Sequence, residues 1–84
     1  MKLQQLRCIF QIVQSKFNIS KASEVLNTSQ PGVSKQIKLL EDEIGIKIFQ
    51  RNGKRLVNLT EPGELILSSI EKILQEDRKR THQN

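Results

Sequence analysis

Chemistry at a protein site needs a nucleophile beside a base, carboxylates that converge, or metal-ligating groups at set spacing, and these 84 residues offer little of any. Glu41-Asp42-Glu43 is the densest run of carboxylates. Consecutive helical residues diverge by about 100° and no histidine lies nearby, so the run reads as a solvated helix end whose charge keeps that end away from phosphate. His82 stands in a polar tail with no partner at ligand spacing and reads as inert. Cys8, the one cysteine, can form neither an intrachain disulfide nor a thiolate cage, and reads as a small core or boundary residue. No phosphate-cradling glycine loop is present. The sequence calls for no metal and no cofactor, and an enzyme is the weakest of the function classes it allows.

What the chain does carry is positive charge set beside small polar groups. Lys and Arg number 14 against 9 Asp and Glu, a net charge of +5, which favours a polyanionic partner. At about 100° per residue, Val33, Ile37, Leu40 and Ile44 share one arc of roughly 60°, and Gln30, Pro31, Ser34, Lys35 and Lys38 share another. Such a helix has a core side and a basic side. Ser29 is placed to cap it, Pro31 sits in the first turn where its missing N–H is harmless, and Gly32 and Ser34 add little bulk. A slim, amide-rich helix end can approach a major groove, with Gln30 bonding base edges and Lys35 and Lys38 meeting phosphates or guanine. Taken alone, the same residues are equally a good helix start with solvated lysines beyond it. Arg51, Lys54 and Arg55 form a second basic cluster, able to reach a DNA backbone or minor groove, although hairpin tips are also basic for solubility alone.

These groups need elements to position them. Leu3, Leu6, Phe10 and Val13, broadened by Ile9 and Ile12, predict an amphipathic helix over 3–15. Ser20 is the expected N-cap of a short second helix in which Ala22, Val25 and Leu26 face inward, and Asn27 can take the left-handed conformation that ends it. The tight link through Thr28 into the third helix completes a helix-turn-helix pattern. Beyond Gly45 the period changes: "IKIFQR" and "RLVNL" flank Asn52-Gly53, which predicts a type I′ hairpin and hence a β wing. Thr60 then caps a last helix, with Glu61 and Pro62 in its first turn. Its stripe of Leu65, Ile66, Leu67, Ile70, Ile73 and Leu74 outruns what one small domain can cover, so it predicts a partner helix from a second copy of the chain. The fold class that follows is mainly α: a winged helix-turn-helix of three helices plus a two-stranded wing over 1–59, then a long C-terminal helix and polar tail over 60–84.

No apolar run approaches 18 residues and "MKLQQLRC" lacks the apolar region of a secretory signal, so no membrane is expected and a reducing cytoplasmic setting fits.

"ASEVLNTSQPGVSKQIKLLEDEIGIKIFQR" followed by "LVNLTEPGE" resembles the N-terminal DNA-binding domain of LysR-type transcriptional regulators over nearly the whole chain. "MKLQQLR", "NIS" and the run from Thr28 to the wing are similar to the cysteine-regulon activators of the CysB and Cbl type. The resemblance implies a homodimer, and a tetramer in the full-length protein, bound to double-stranded pseudo-palindromic promoter DNA. It puts Ser29, Gln30, Pro31, Ser34 and Lys35 on the recognition helix in the major groove, Arg51, Lys54 and Arg55 on the wing, and Ser20 and Thr28 near phosphates. It makes the stretch from Thr60 a linker helix pairing antiparallel with its mate. It also implies control of sulfur assimilation and a C-terminal effector domain for acetylserine-type or sulfur metabolites, so the chain reads as a fragment without that site. Two positions depart from the pattern. Lys35 stands where many members have arginine and lacks the bidentate fork, and Ser23 replaces the second alanine of an "AA" pair. The competing reading, drawn from the long helix, is a winged-helix module for protein–protein association without DNA affinity.

Overall fold

A computed structural model describes the backbone of residues 1–82 and the side chains of residues 1–75. The element order is α1 (Leu3–Gln14), α2 (Ile19–Val25), α3 (Gln30–Ile44), β1 (Phe49–Asn52), β2 (Arg55–Leu59) and α4 (Glu61–His82). α1 packs against α2, α3 and α4, and the two strands form one antiparallel hairpin. Ile9, Ile12, Ala22, Val33, Leu40 and Ile48 are fully enclosed where these elements meet. The apolar spacing read from the sequence is the core of α3, whereas in α1 the core is Leu6, Ile9 and Ile12, with Phe10 and Val13 half-buried and Leu3 exposed at the helix start.

The short second helix departs from expectation at its N-cap and at Val25. Asn18, not Ser20, is its N-cap, accepting the Lys21 amide at 3.0 Å. Ser20 lies inside the helix, where its carbonyl accepts the hydroxyl of Ser23 at 2.7 Å. That bond satisfies the polar group buried at Ser23 in place of alanine. Val25 is 59% exposed rather than inward-facing, because Ile19, Ala22, Ser23 and Leu26 take the core side of this two-turn helix. Asn27 does close the helix at φ +56°. Between α1 and α2, Lys16 and Phe17 both take positive φ, +55° and +65°. That conformation costs a bulky side chain roughly 1–2 kcal/mol, and it is held by the Phe17 amide bonding Ile12 O at 2.8 Å. The Phe17 ring also packs edge-on to Phe49, centroids 6.2 Å apart.

The hairpin forms as expected but turns one residue later. Asn52 pairs with Arg55, so the loop is Gly53-Lys54, with positive φ at Gly53 (+64°) and not at Lys54. This is the φ pattern of a type II′ turn rather than I′, and Gly53 supplies its first central position. A register shift next to Gln50 and Arg51 leaves Val57 as an extra residue in β2, a bulge that bends the wing.

Both long helices after the turn open on one pattern, Ser29-Gln30-Pro31-Gly32 and Thr60-Glu61-Pro62-Gly63. In each, the cap hydroxyl accepts the glycine amide, at 3.1 Å and 3.0 Å. The two ends differ in surroundings: the α3 start is exposed, whereas Gly63 is buried against the root of the hairpin. With 22 residues, α4 is about 33 Å long, more than the two shorter dimensions of the molecule, 26 and 21 Å.

Candidate nucleic-acid interface

The N-terminal end of α3 is the centre of an open groove. Ser29 is exposed and its hydroxyl caps Gly32, leaving the Gln30 amide unbonded within the helix and the positive end of the peptide dipoles facing outward. Gln30, Pro31 and Ser34 of α3, Ser20 at the start of α2, and Lys54 and Arg55 at the wing tip all line the groove. Five of these six positions lie on α3 or the wing, elements joined in space by the core beneath them. A surface that pairs a helix N-terminus, small hydroxyls and two mobile-ended cations suits a polyanion whose phosphates follow a curved track.

Lys16 and Asn18 line the same groove and were not singled out from the sequence. The left-handed turn at Lys16 and Phe17 places them there. A lysine just past the last apolar position of α1 was the available signal.

The remaining predicted positions spread outward. Thr28 and Ser29 border a second hollow with Asn27. Lys35 is exposed on α3 outside the groove lining. Lys38 is exposed and sits 3.6 Å from Asp42 one turn on, a surface pair worth a few tenths of a kcal/mol that leaves its charge available. Arg51 is held differently, its guanidinium 3.6 Å from the Glu41 carboxylate.

Glu41 corrects the reading of the acidic run. Asp42 and Glu43 are exposed, but Glu41 is 3% exposed and accepts the backbone amides of Ile48 at 2.7 Å and Phe49 at 3.4 Å. It is a structural acceptor for the hairpin root, one helical face away from its solvated neighbours. The run therefore has one buried member that ties α3 to the wing.

The stripe on α4 is also divided. Leu65 is 73% exposed and Ile73 41%. Ile66, Leu67 and Leu74 are half-buried against the core, and Ile70, expected on the partner-facing stripe, is 1% exposed and lies within the core of its own chain. A seven-residue step brings Ile70 back over the domain, so its side chain is not offered to a second helix. His82 and the charged end of α4 lie outside the described side chains. Among the described residues no three His, Cys, Asp or Glu side chains converge, and no helix is long and apolar enough to cross a membrane.

Residues 3–64 match the family described as bacterial regulatory helix-turn-helix protein, lysR family. The chain belongs to the LysR family. Among curated relatives, this LysR-family chain is 55% identical over 76 residues to the HTH-type transcriptional regulator CysB of Burkholderia cenocepacia, covering 90% of the chain and 24% of that protein. It is 53% identical over 74 residues to the transcriptional regulator SsuR of the same organism, covering 88% and 24%. The chain thus spans about a quarter of the length of these relatives. Among solved structures it matches the BenM DBD in complex with benA site 1 DNA at a TM-score of 0.88 and 28% identity, covering 99% of this chain and 91% of that one. The relatives are transcriptional regulators, and the fold is the mainly α, winged helix-turn-helix arrangement expected.

Proposed function

We propose that this chain is the sequence-specific DNA-binding part of a cytoplasmic LysR-type transcriptional regulator, with residues 1–59 as the reading domain and 60–84 as the linker helix through which two copies pair. Recognition is by the α3 face from Ser29 to Lys38 in a major groove, with Lys54 and Arg55 of the wing on the flanking backbone or minor groove. The observation that carries the reading is the convergence of Gln30, Pro31 and Ser34 with Lys54 and Arg55 around one groove at an exposed helix N-terminus. The identity to CysB and SsuR supports control of sulfur assimilation and cysteine biosynthesis genes, with the effector site and the tetramer interface in the remainder of the longer protein. The match to a family of regulatory helix-turn-helix proteins and to transcriptional regulators supports a non-enzymatic role.

The test is selection of bound duplexes from a randomised pool, followed by titration of the selected site from low to physiological salt. A dyad-symmetric consensus and an affinity that falls steeply with salt bear the reading out. A dimer that binds no duplex at low salt overturns it in favour of a protein–protein module.

A further inference from the structure

The hairpin root is held by two helices at Ile48 and its immediate neighbours. The Ile48 N–H donates to the Glu41 carboxylate of α3 at 2.7 Å, while the Ile48 carbonyl accepts the Thr60 amide, the residue that caps α4, at 2.9 Å. The Thr60 hydroxyl donates to Lys47 O at 2.5 Å, with Ile48 O at 3.2 Å, and accepts the Gly63 amide at 3.0 Å. Ile48 is fully enclosed. The approach is so close that a Cβ at Gly63 would lie 2.2 Å from Ile48 O, a backbone atom that cannot swing aside. Glu41 also reaches Arg51 on the wing. The recognition helix, the wing and α4 are thus fastened around Ile48, the residue that leads into β1.

We propose that Glu41, Thr60 and Gly63 are positioning residues that fix the direction of α4 relative to the recognition helix, and so set the half-site spacing a dimer reads. The inference rests on the DNA-binding, α4-paired reading above. None of the three lines the groove, so their effect on DNA is through geometry. Relieving a 2.2 Å contact to ordinary van der Waals distance needs a shift of about 1 Å at the first turn of α4. With Ile70 buried seven residues on, roughly 10 Å along the axis, that shift tilts the helix by about 5°. In a dimer paired along α4 the tilt acts twice, once in each copy.

The experiment uses the 84-residue chain, a half-site selected with the unaltered protein, and a series of dyads whose half-sites are separated in one-base-pair steps. The unaltered chain is expected to show a sharp spacing optimum, because the second half-site binds tightly only when the linked geometry fits. Gly63→Ala is expected to bind the single half-site within about twofold of the unaltered chain while its spacing optimum shifts by a base pair or its discrimination falls at least ~3-fold. Thr60→Val, read in parallel so that a folding failure of one variant does not end the test, is expected to flatten the profile, and Thr60→Ser to restore it. Folded, dimeric variants with the unaltered spacing profile overturn the inference, as does a Thr60→Ser that fails to rescue. An unaltered chain that binds half-sites with no spacing preference overturns it as well. One that binds no duplex at all overturns the DNA-binding reading itself.

Discussion

Glu41 and Ile48 sit seven residues apart, and the carboxylate of the first accepts the amide of the second at 2.7 Å with the glutamate side chain 2% exposed. An anion in so dry a place is tolerated because its oxygens face two N–H donors and the Arg51 guanidinium. Removing it leaves those donors buried and unpaired. Glu41→Ala is therefore expected to destabilise the chain by about 2–4 kcal/mol in urea unfolding, against a few tenths for Asp42→Ala on the exposed face of the same helix. Glu41→Gln, which retains one acceptor oxygen, should fall between them. Equal costs for Glu41→Ala and Asp42→Ala would remove the buried-acceptor argument.

At the groove, side chains that read bases and side chains that meet phosphates separate by their response to sequence and to salt. Gln30→Ala is expected to narrow the gap between selected and random duplexes by about 1–3 kcal/mol, because a base-edge contact is lost. Lys54→Ala and Lys38→Ala should weaken selected and random duplexes alike, each lowering the slope of log affinity against log salt by about 1. Lys16→Ala belongs with the second group, since Lys16 lines the same groove as Lys54. The measurement is fluorescence anisotropy on both duplexes at several salt concentrations. A Gln30→Ala variant that behaves like the lysine variants would move Gln30 off the bases.

The parts of this fold that were legible in the sequence are those decided within one turn of chain. The apolar arc Val33, Ile37 and Leu40 became core because helical periodicity alone places it on one side. Ser29 and Thr60 became caps because hydroxyls three residues before a free amide need nothing further. Features decided across the fold were hidden. Glu41 looks like its neighbours until the hairpin folds back on it, and Ile70 looks like Leu65 until α1 packs against α4. The cap of α2 moved from Ser20 to Asn18 because both types suit an N-cap, and the left-handed turn at Lys16 and Phe17 decides which is reached first. The groove itself was half legible: its helix and wing walls followed from local pattern, while Lys16 and Asn18 depended on that turn.

Cys8 is 3% exposed, and burial pushes its thiol pKa up from the ordinary range. A folded-state pKa raised above the unfolded value means that the unfolded chain loses its proton first as pH rises. The stability associated with the neutral thiol is thus complete below the ordinary thiol pKa, about 8.5, and is lost as pH rises from there through the raised value. Urea unfolding of the unaltered chain and of Cys8→Ala from pH 7 to 10 is expected to show a steeper decline for the former. A thiol reagent should modify the folded chain only at the rate at which it opens. Immediate modification at neutral pH without denaturant would contradict the burial.

Leu65 and Ile70 share a helix and an apolar character, yet one is 73% exposed and the other 1%. Their substitutions should fail in different ways. Leu65→Ser removes apolar area that only a partner can cover, so it is expected to shift sedimentation toward the monomer with the unfolding midpoint of the isolated chain unchanged at low concentration. Ile70→Ser places a hydroxyl in the core and leaves a void there, at a cost of about 2–5 kcal/mol, and should weaken folding at every concentration. Ile73, 41% exposed one turn beyond Ile70, is expected to follow Leu65. The concentration dependence of the midpoint distinguishes the two outcomes, because a partner stabilises only in proportion to how much of it is present. If Leu65→Ser leaves the dimer intact, the partner helix does not lie on the exposed side of α4, and the pairing of two copies along that helix fails with it.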